Sequence, residues 1–151
     1  EGKLIAQVAL PESCAHGTYF APRAFEIPSL ATLTREVFGP VLHVVRYAAK
    51  DLDAVIDAIN ATGYGLTLGI HSRIDGTVAH IQRRARAGNC YVNRNMIGAV
   101  VGVQPFGGEG LSGTGPKAGG PHYLARFATE RTLTINTTAA GGNASLLTLG
   151  T

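Results

Sequence analysis

Three glycines, Gly108, Gly110 and Gly113, stand in the order G-x-G-x-x-G inside VGVQPFGGEGLSGTGPKAGGP (101–121). In a dinucleotide-binding turn this spacing lets a pyrophosphate sit on the N-terminus of a helix that follows a hydrophobic strand. Here Gln104, Pro105 and Phe106 precede the motif, and Thr114, Gly115 and Pro116 follow it. Neither flank fits. A phosphate-binding P-loop needs Gly-Lys-Ser/Thr, which GPKAG lacks. The other reading is steric. Eight glycines lie from Gly102 to Gly120, and glycine permits positive φ and close backbone approach. Such a run suits a loop that lines a site with bare backbone N–H groups, or a plain structural crossover.

The remaining reactive side chains are sparse. Cys90 sits in the strand-like AGNCYVN and reads as a small buried hydrophobe. Cys14 lies in PESCAHG, with no second cysteine at metal or disulfide spacing. His16, His43, His71, His80 and His122 form neither triad nor metal spacing. No catalytic residue and no metal ligand is therefore assigned. Arg83, Arg84 and Arg86 are the densest basic cluster in a chain of net charge +3 and pI about 9.1. With no aromatic platform beside them, they read as a solvated helix face rather than a nucleic-acid footprint.

The elements that must position these groups follow from periodicity. KLIAQVAL (3–10) and the valine-rich VLHVVRYA (41–48) read as strands, the second buried on both faces. TYFAPRAFEI (18–27) reads as extended chain broken at Pro22, and LATLTREVFGP (30–40) ends in a Gly-Pro punctuator. Leu52, Val55, Ile56 and Ile59 recur at helical spacing, with Asp51 as N-cap and Gly63 as stop. LTLGIHS (66–72) alternates as a strand. A second helix runs from about Gly76 to Ala87, capped by Gly88, and NCYVN (89–93) is a short strand. Strand, helix, strand, helix, strand implies an α/β unit with a largely parallel sheet. HYLARFA is a short helical stretch, TLTIN (132–136) a strand with one wet face, and the tail from 137 weakly structured.

At 151 residues, 45% apolar and 15% charged, the chain has the size and composition of one packed domain. No run approaches 18 apolar residues and no signal peptide opens it, so a soluble, reducing, cytoplasmic setting is the expectation. It opens at Glu1, and its single methionine is Met96. It is therefore expected to be a piece of a longer protein.

EVFGPV (36–41), YGLT (64–67), AGNCYVNR (87–94) and QPFGGEGLSGTG (104–115) occur in that order and spacing. Together they resemble the C-terminal part of an NAD(P)-dependent aldehyde dehydrogenase. IGAVVGVQPFGGEGLSGTGPKAGGPHYL and INTTAAGGNASLL resemble one branch of that superfamily. This is the L-glutamate γ-semialdehyde (1-pyrroline-5-carboxylate) dehydrogenase module of bacterial bifunctional proline utilization A enzymes. The resemblance covers nearly the whole chain.

It implies the parallel-sheet C-terminal portion of the aldehyde dehydrogenase catalytic domain over 1–128. It also implies an oligomerisation β-flap strand and tail over 129–151, docking on a second subunit of a homodimer. Glu36 would accept hydrogen bonds from the nicotinamide ribose of NAD, with Phe38 packed beside it. Gly98 and Ala99 would offer N–H groups to the substrate α-carboxylate, and Phe106 would wall the aldehyde chain. Asn93 and Asn95 would hold the loop through side-chain-to-backbone bonds. The nucleophile, the general base and the nucleotide-binding domain would lie upstream of Glu1. A proline dehydrogenase domain further upstream would bring FAD. Taken alone, the chain would be a non-catalytic scaffold or oligomerisation module. An aldehyde dehydrogenase of other substrate specificity is the remaining alternative.

Overall fold

The computed structural model describes residues 2–100, 102–136 and 139. Its first sheet has three strands in the order β1 (Lys3–Gln7), β2 (Arg23–Glu26), β3 (Val41–Val44). β1 and β2 run antiparallel, and β2 and β3 parallel. Gly39 (φ 151°) and Pro40 turn the chain into β3, and the Pro40 carbonyl accepts the Arg23 N–H at 3.0 Å. The Arg23 guanidinium lies 4.6 Å above the Phe20 ring.

Helix α1 (Leu52–Ala61) follows a 3-10 turn over Ala49–Asp51. Asp51 occupies the N-cap position but its side chain makes no capping bond. Its N–H instead donates to the Ala48 carbonyl at 2.8 Å, so the preceding turn, not a side-chain cap, starts the helix. Gly63 (φ 76°) ends it, as its place after the last periodic residue implied. The apolar stripe points inward and Ile56, 1% exposed, is the most deeply buried large side chain. Burying an isoleucine this fully stabilises by roughly 1.5–3 kcal/mol relative to leaving it exposed.

Then come β4 (Tyr64–Gly65), β5 (Thr67–Ile70), α2 (Asp75–Arg84) and β6 (Asn89–Val92). β5 and β6 pair in parallel through the α2 crossover, with Thr67 opposite Asn89 and Ile70 opposite Val92. A two-residue β7 (Glu109–Gly110) closes antiparallel on β4. A 3-10 turn over Leu124–Phe127 fills the HYLARFA stretch.

Several expectations are corrected here. The strands do not form one largely parallel sheet. Among the described residues they form one three-stranded and two two-stranded sheets, with β3 and β5 in different ones. Helix α2 stops at Arg84 because Ala85 is already extended (ψ 135°), three residues before the expected end. Gly88 is no cap: its N–H donates to the Gly65 carbonyl at 3.0 Å and continues the strand ladder. Cys90 is not a buried hydrophobe. The strand alternation turns Asn89 and Tyr91 inward and leaves Cys90 exposed. Residues 132–136 form no strand, and Leu133 and Ile135 stand exposed, since one extended segment has no ladder by itself. The tail beyond them lies outside the described residues, Ala139 apart.

Candidate functional site

The glycine run packs backbone against backbone. A Cβ on Gly113 would overlap the Gly108 carbonyl, one on Gly88 the Gly107 carbonyl, and one on Gly65 the Arg86 carbonyl. Segments 63–65, 86–88 and 107–113 thus cross at van der Waals distance with no room for side chains. The amides of the motif are occupied. Leu111 N–H donates to Gly63 O (2.9 Å), Ser112 N–H to Glu109 O (3.0 Å), and Gly107 N–H to Asn89 Oδ1 (3.3 Å). A phosphate cradle needs those N–H groups free, so the run is a structural crossover.

Asn89 is the staple of that crossover and is buried. Its amide Nδ2 donates to the Pro105 carbonyl at 3.1 Å while Oδ1 accepts from Gly107. The Lys117 ammonium donates to the Gly88 carbonyl and lies 3.5 Å from Asn89 Oδ1. Phe106 then bridges Ala118 through two backbone bonds of 3.0 and 2.9 Å. Its ring is 38% exposed, a partly covered apolar wall rather than a core residue. Sequence reasoning passed over Asn89 and Lys117. The available signal was a polar residue at the inward phase of an apolar strand, two positions before Tyr91.

Between β6 and β7 the chain makes a loop that begins with two anchors. The Asn93 side chain accepts from Ser72 N–H (3.0 Å) and donates to Ser72 O (2.9 Å), tying the loop to the end of β5. Asn93 carries φ 55°, a conformation asparagine tolerates. Arg94 stacks 4.7 Å above the Tyr91 ring and donates through Nε to Asn95 O (3.1 Å) and through Nη2 to Ile97 O (3.1 Å). Asn95 takes part through its carbonyl, not its side chain. Gly98 (φ 80°) and Ala99 follow, and Val100 O accepts the N–H groups of Val103 (3.1 Å) and Gln104 (2.6 Å). Among the described residues no acceptor takes the N–H groups of Gly98 and Ala99. A Cβ on Gly98 would face open space.

Glu36 and Phe38 lie elsewhere, in the loop before β3. Both are exposed, Phe38 at 95%. Gly98, Ala99 and Phe106 share one loop, and among the described residues no hydrogen bond or ring contact joins that loop to Glu36 or Phe38. None of the five lines the apolar groove of about 440 Å³ between α1, β5 and α2, or that of about 520 Å³ beside β2 and β3. Among the described residues no group of three or more His, Cys, Asp or Glu could hold a metal ion, and no helix is long and apolar enough to cross a membrane. Cys90, though exposed, has its thiol pushed up in pKa by partial burial of the group, the opposite of an activated nucleophile.

The Gly98 and Ala99 amides, the Glu36 carboxylate and the Phe38 and Phe106 rings thus stand open on two separate loops. The family model of the aldehyde dehydrogenases matches residues 1–133. The chain belongs to the aldehyde dehydrogenase family. It is 59% identical to the bifunctional protein PutA of Rhizobium meliloti over 128 residues, which is 85% of this chain and 10% of that protein. A mutant proline utilization A from Bradyrhizobium japonicum superposes with TM-score 0.82 at 64% identity, covering 93% of this chain and 14% of the other. A 1-pyrroline-5-carboxylate dehydrogenase from Thermus with bound NAD gives TM-score 0.73 at 41% identity, covering 84% of this chain and 24% of that one. The chain therefore has the aldehyde dehydrogenase domain fold, with mixed α/β sheets, and spans about a tenth of the curated relative's length.

Proposed function

We propose that the chain is the C-terminal part of the catalytic domain of a dehydrogenase that oxidises L-glutamate γ-semialdehyde to L-glutamate with NAD, in proline catabolism. The observation that carries this reading is the pair of open N–H groups at Gly98 and Ala99, on a loop pinned at both ends. Two adjacent free amides at a glycine in the left-handed region make a nest for a carboxylate. The aldehyde substrate carries an α-carboxylate at the end remote from the reacting carbon. Anchoring it there leaves the aldehyde to extend along the half-exposed Phe106 ring. The names of the relatives support the same substrate class.

Glu36 and Phe38 fit a nicotinamide ribose. An exposed carboxylate can accept from two vicinal hydroxyls, and an uncovered ring two residues on offers an apolar face. When bound, NAD supplies the hydride acceptor. The chain's own residues bind and orient: Glu36 by accepting hydroxyl protons, Gly98 and Ala99 by donating to the carboxylate, Phe106 by excluding water beside the aldehyde chain. The thiol nucleophile and the base come from upstream parts of the parent, since Cys14 and Cys90 lack the setting of either. Alone, the chain is a non-catalytic module, and NADH formation by it should be nil.

Residues 1–128 belong to the catalytic domain with its parallel pairings, and we assign 129–151 the role of oligomerisation β-flap and C-terminal tail, with 132–136 becoming a strand only when paired on a second subunit of a homodimer. The exposed Leu133 and Ile135 are the apolar face such a strand would lay on a partner subunit. A cytoplasmic enzyme carrying an upstream, FAD-dependent proline dehydrogenase domain completes the reading. The test is NADH formation by the intact parent with glutamate γ-semialdehyde against pentanal, which lacks the carboxylate and amine. Ala99→Leu should raise KM for the first and leave the second within about twofold. Equal losses on both would remove the anchor and reopen the substrate.

A further inference from the structure

Arg94 has no assigned role, yet it is the side chain that organises the loop ahead of Gly98. Its guanidinium rests on the Tyr91 ring, which is itself buried in the β6 ladder, and the residue before it is tied by two bonds to Ser72. From this fixed base it donates to two carbonyls, Asn95 O and Ile97 O, each at 3.1 Å. The second bond determines the direction of a donor. Ile97 C=O and Gly98 N–H belong to one planar peptide unit, and the described residues contain no cis peptide bond. In a trans peptide the C=O and N–H point in opposite directions. Turning the Ile97 carbonyl toward Arg94 therefore turns the Gly98 N–H away from it, to a side where among the described residues no acceptor takes it.

We propose that Arg94 is the positioning residue of the carboxylate anchor: it aims the Gly98 N–H outward and polarises that peptide for an anionic ligand. This rests on the anchor reading above. Two effects act together. A charged donor on a carbonyl strengthens the dipole of the same peptide, so its N–H becomes a better donor to an anion. The guanidinium fork also holds two peptide planes at once, so the loop pays little ordering entropy when the ligand arrives. Lysine offers the charge but not the fork. Arg94 itself need not touch the ligand, because two of its donors are spent on the loop.

The experiment is steady-state kinetics of the intact parent enzyme carrying Arg94→Met, Arg94→Lys or Ala99→Leu, with glutamate γ-semialdehyde and with pentanal. Losing a charge-assisted positioning bond is expected to read as about a tenfold change. Arg94→Met should raise KM for glutamate γ-semialdehyde about tenfold, with kcat within about twofold and pentanal turnover unchanged. Pentanal turnover doubles as the check that the variant folds. Arg94→Lys should recover part of the loss. If Ala99→Leu discriminates between the substrates and Arg94→Met does not, the positioning role is overturned while the anchor stands. Equal losses on both substrates in Arg94→Met would reduce Arg94 to a structural contact and overturn the proposal. If neither variant discriminates, the anchor fails and the role of Arg94 with it.

Discussion

Replacing Asn89 by leucine, which keeps the side-chain size, removes the one amide that fastens the β6 strand to the 105–107 crossover. Two backbone groups lose their partners: the Pro105 carbonyl, now 3.1 Å from Nδ2, and the Gly107 N–H, now 3.3 Å from Oδ1. Each unsatisfied group costs about 1–3 kcal/mol, and their part-buried setting argues for the lower half of that range, or roughly 3 kcal/mol for the pair. Lys117 retains the Gly88 carbonyl, so its loss is small. Local opening of the crossover should then become about 100-fold more frequent, since 1.4 kcal/mol is a factor of ten. Amide hydrogen exchange of the intact parent protein reads this directly. The reporters are Phe106 N–H and Ala118 N–H, which bond across the bridge at 3.0 and 2.9 Å, with the α1 amides as internal reference. Asn89→Asp should fall between, because a carboxylate keeps the acceptor for Gly107 and Lys117 but turns an oxygen toward the Pro105 carbonyl. Exchange within about threefold of the wild type in Asn89→Leu would refute the reasoning, since unpaired groups costing so little would have to be solvated already.

Gly113→Ala should destabilise the parent clearly and lower its Tm, because the new Cβ meets the Gly108 carbonyl, backbone that cannot swing aside. Gly76→Ala, in the first turn of α2 with open space around it, should instead be neutral or raise stability by about 0.5–1 kcal/mol. Equal Tm values for both would sink the backbone-crossing account of the glycine run. On the outer face of α1 and α2, His80 Nε2 lies 2.5 Å from Asp53 Oδ1, and Arg84 reaches Asp53 at 2.6 Å and Asp57 at 2.8 Å. The His80 hydrogen bond first, with the Arg84 charge helping and desolvation opposing, holds the Asp53 carboxyl below its ordinary 3.8. A carboxyl lowered in the folded state stabilises above its unfolded value and loses that contribution as pH falls through the lowered one. The difference in α2 amide exchange between wild type and Asp53→Asn should therefore be present at about pH 5 and fade as pH falls below the ordinary 3.8 and through the lowered value. A difference that does not change with pH would show that the exposed network contributes nothing through ionisation.

Local periodicity was enough for the helix over Leu52–Ala61 and the short strands around it. An apolar stripe at 3.6 residues and a left-handed Gly63 are properties of a dozen consecutive residues. The motif order EVFGPV, YGLT, AGNCYVNR, QPFGGEGLSGTG was likewise readable as written, and with it the family. The partition of the strands into three sheets was not, because pairing depends on which strands meet in space, and β3 meets β2 rather than β5. The end of α2 was misplaced because Ala85, Arg86 and Ala87 favour helix locally, while the ladder to Gly65 and Leu66 pulls 88 and 89 into a strand. Cys90, expected inside, lies exposed with Asn89 and Tyr91 turned inward, since a shift of one residue in strand phase inverts burial. Composition made the glycine run conspicuous, but only three backbone segments crossing at Gly65, Gly88 and Gly113 explain why a side chain is forbidden there. The bond from Arg94 to the Ile97 carbonyl spans only three residues, but the seat of Arg94 is set by tertiary structure: Tyr91 beneath it is buried and Asn93 beside it is tied to Ser72, twenty-one residues away in sequence.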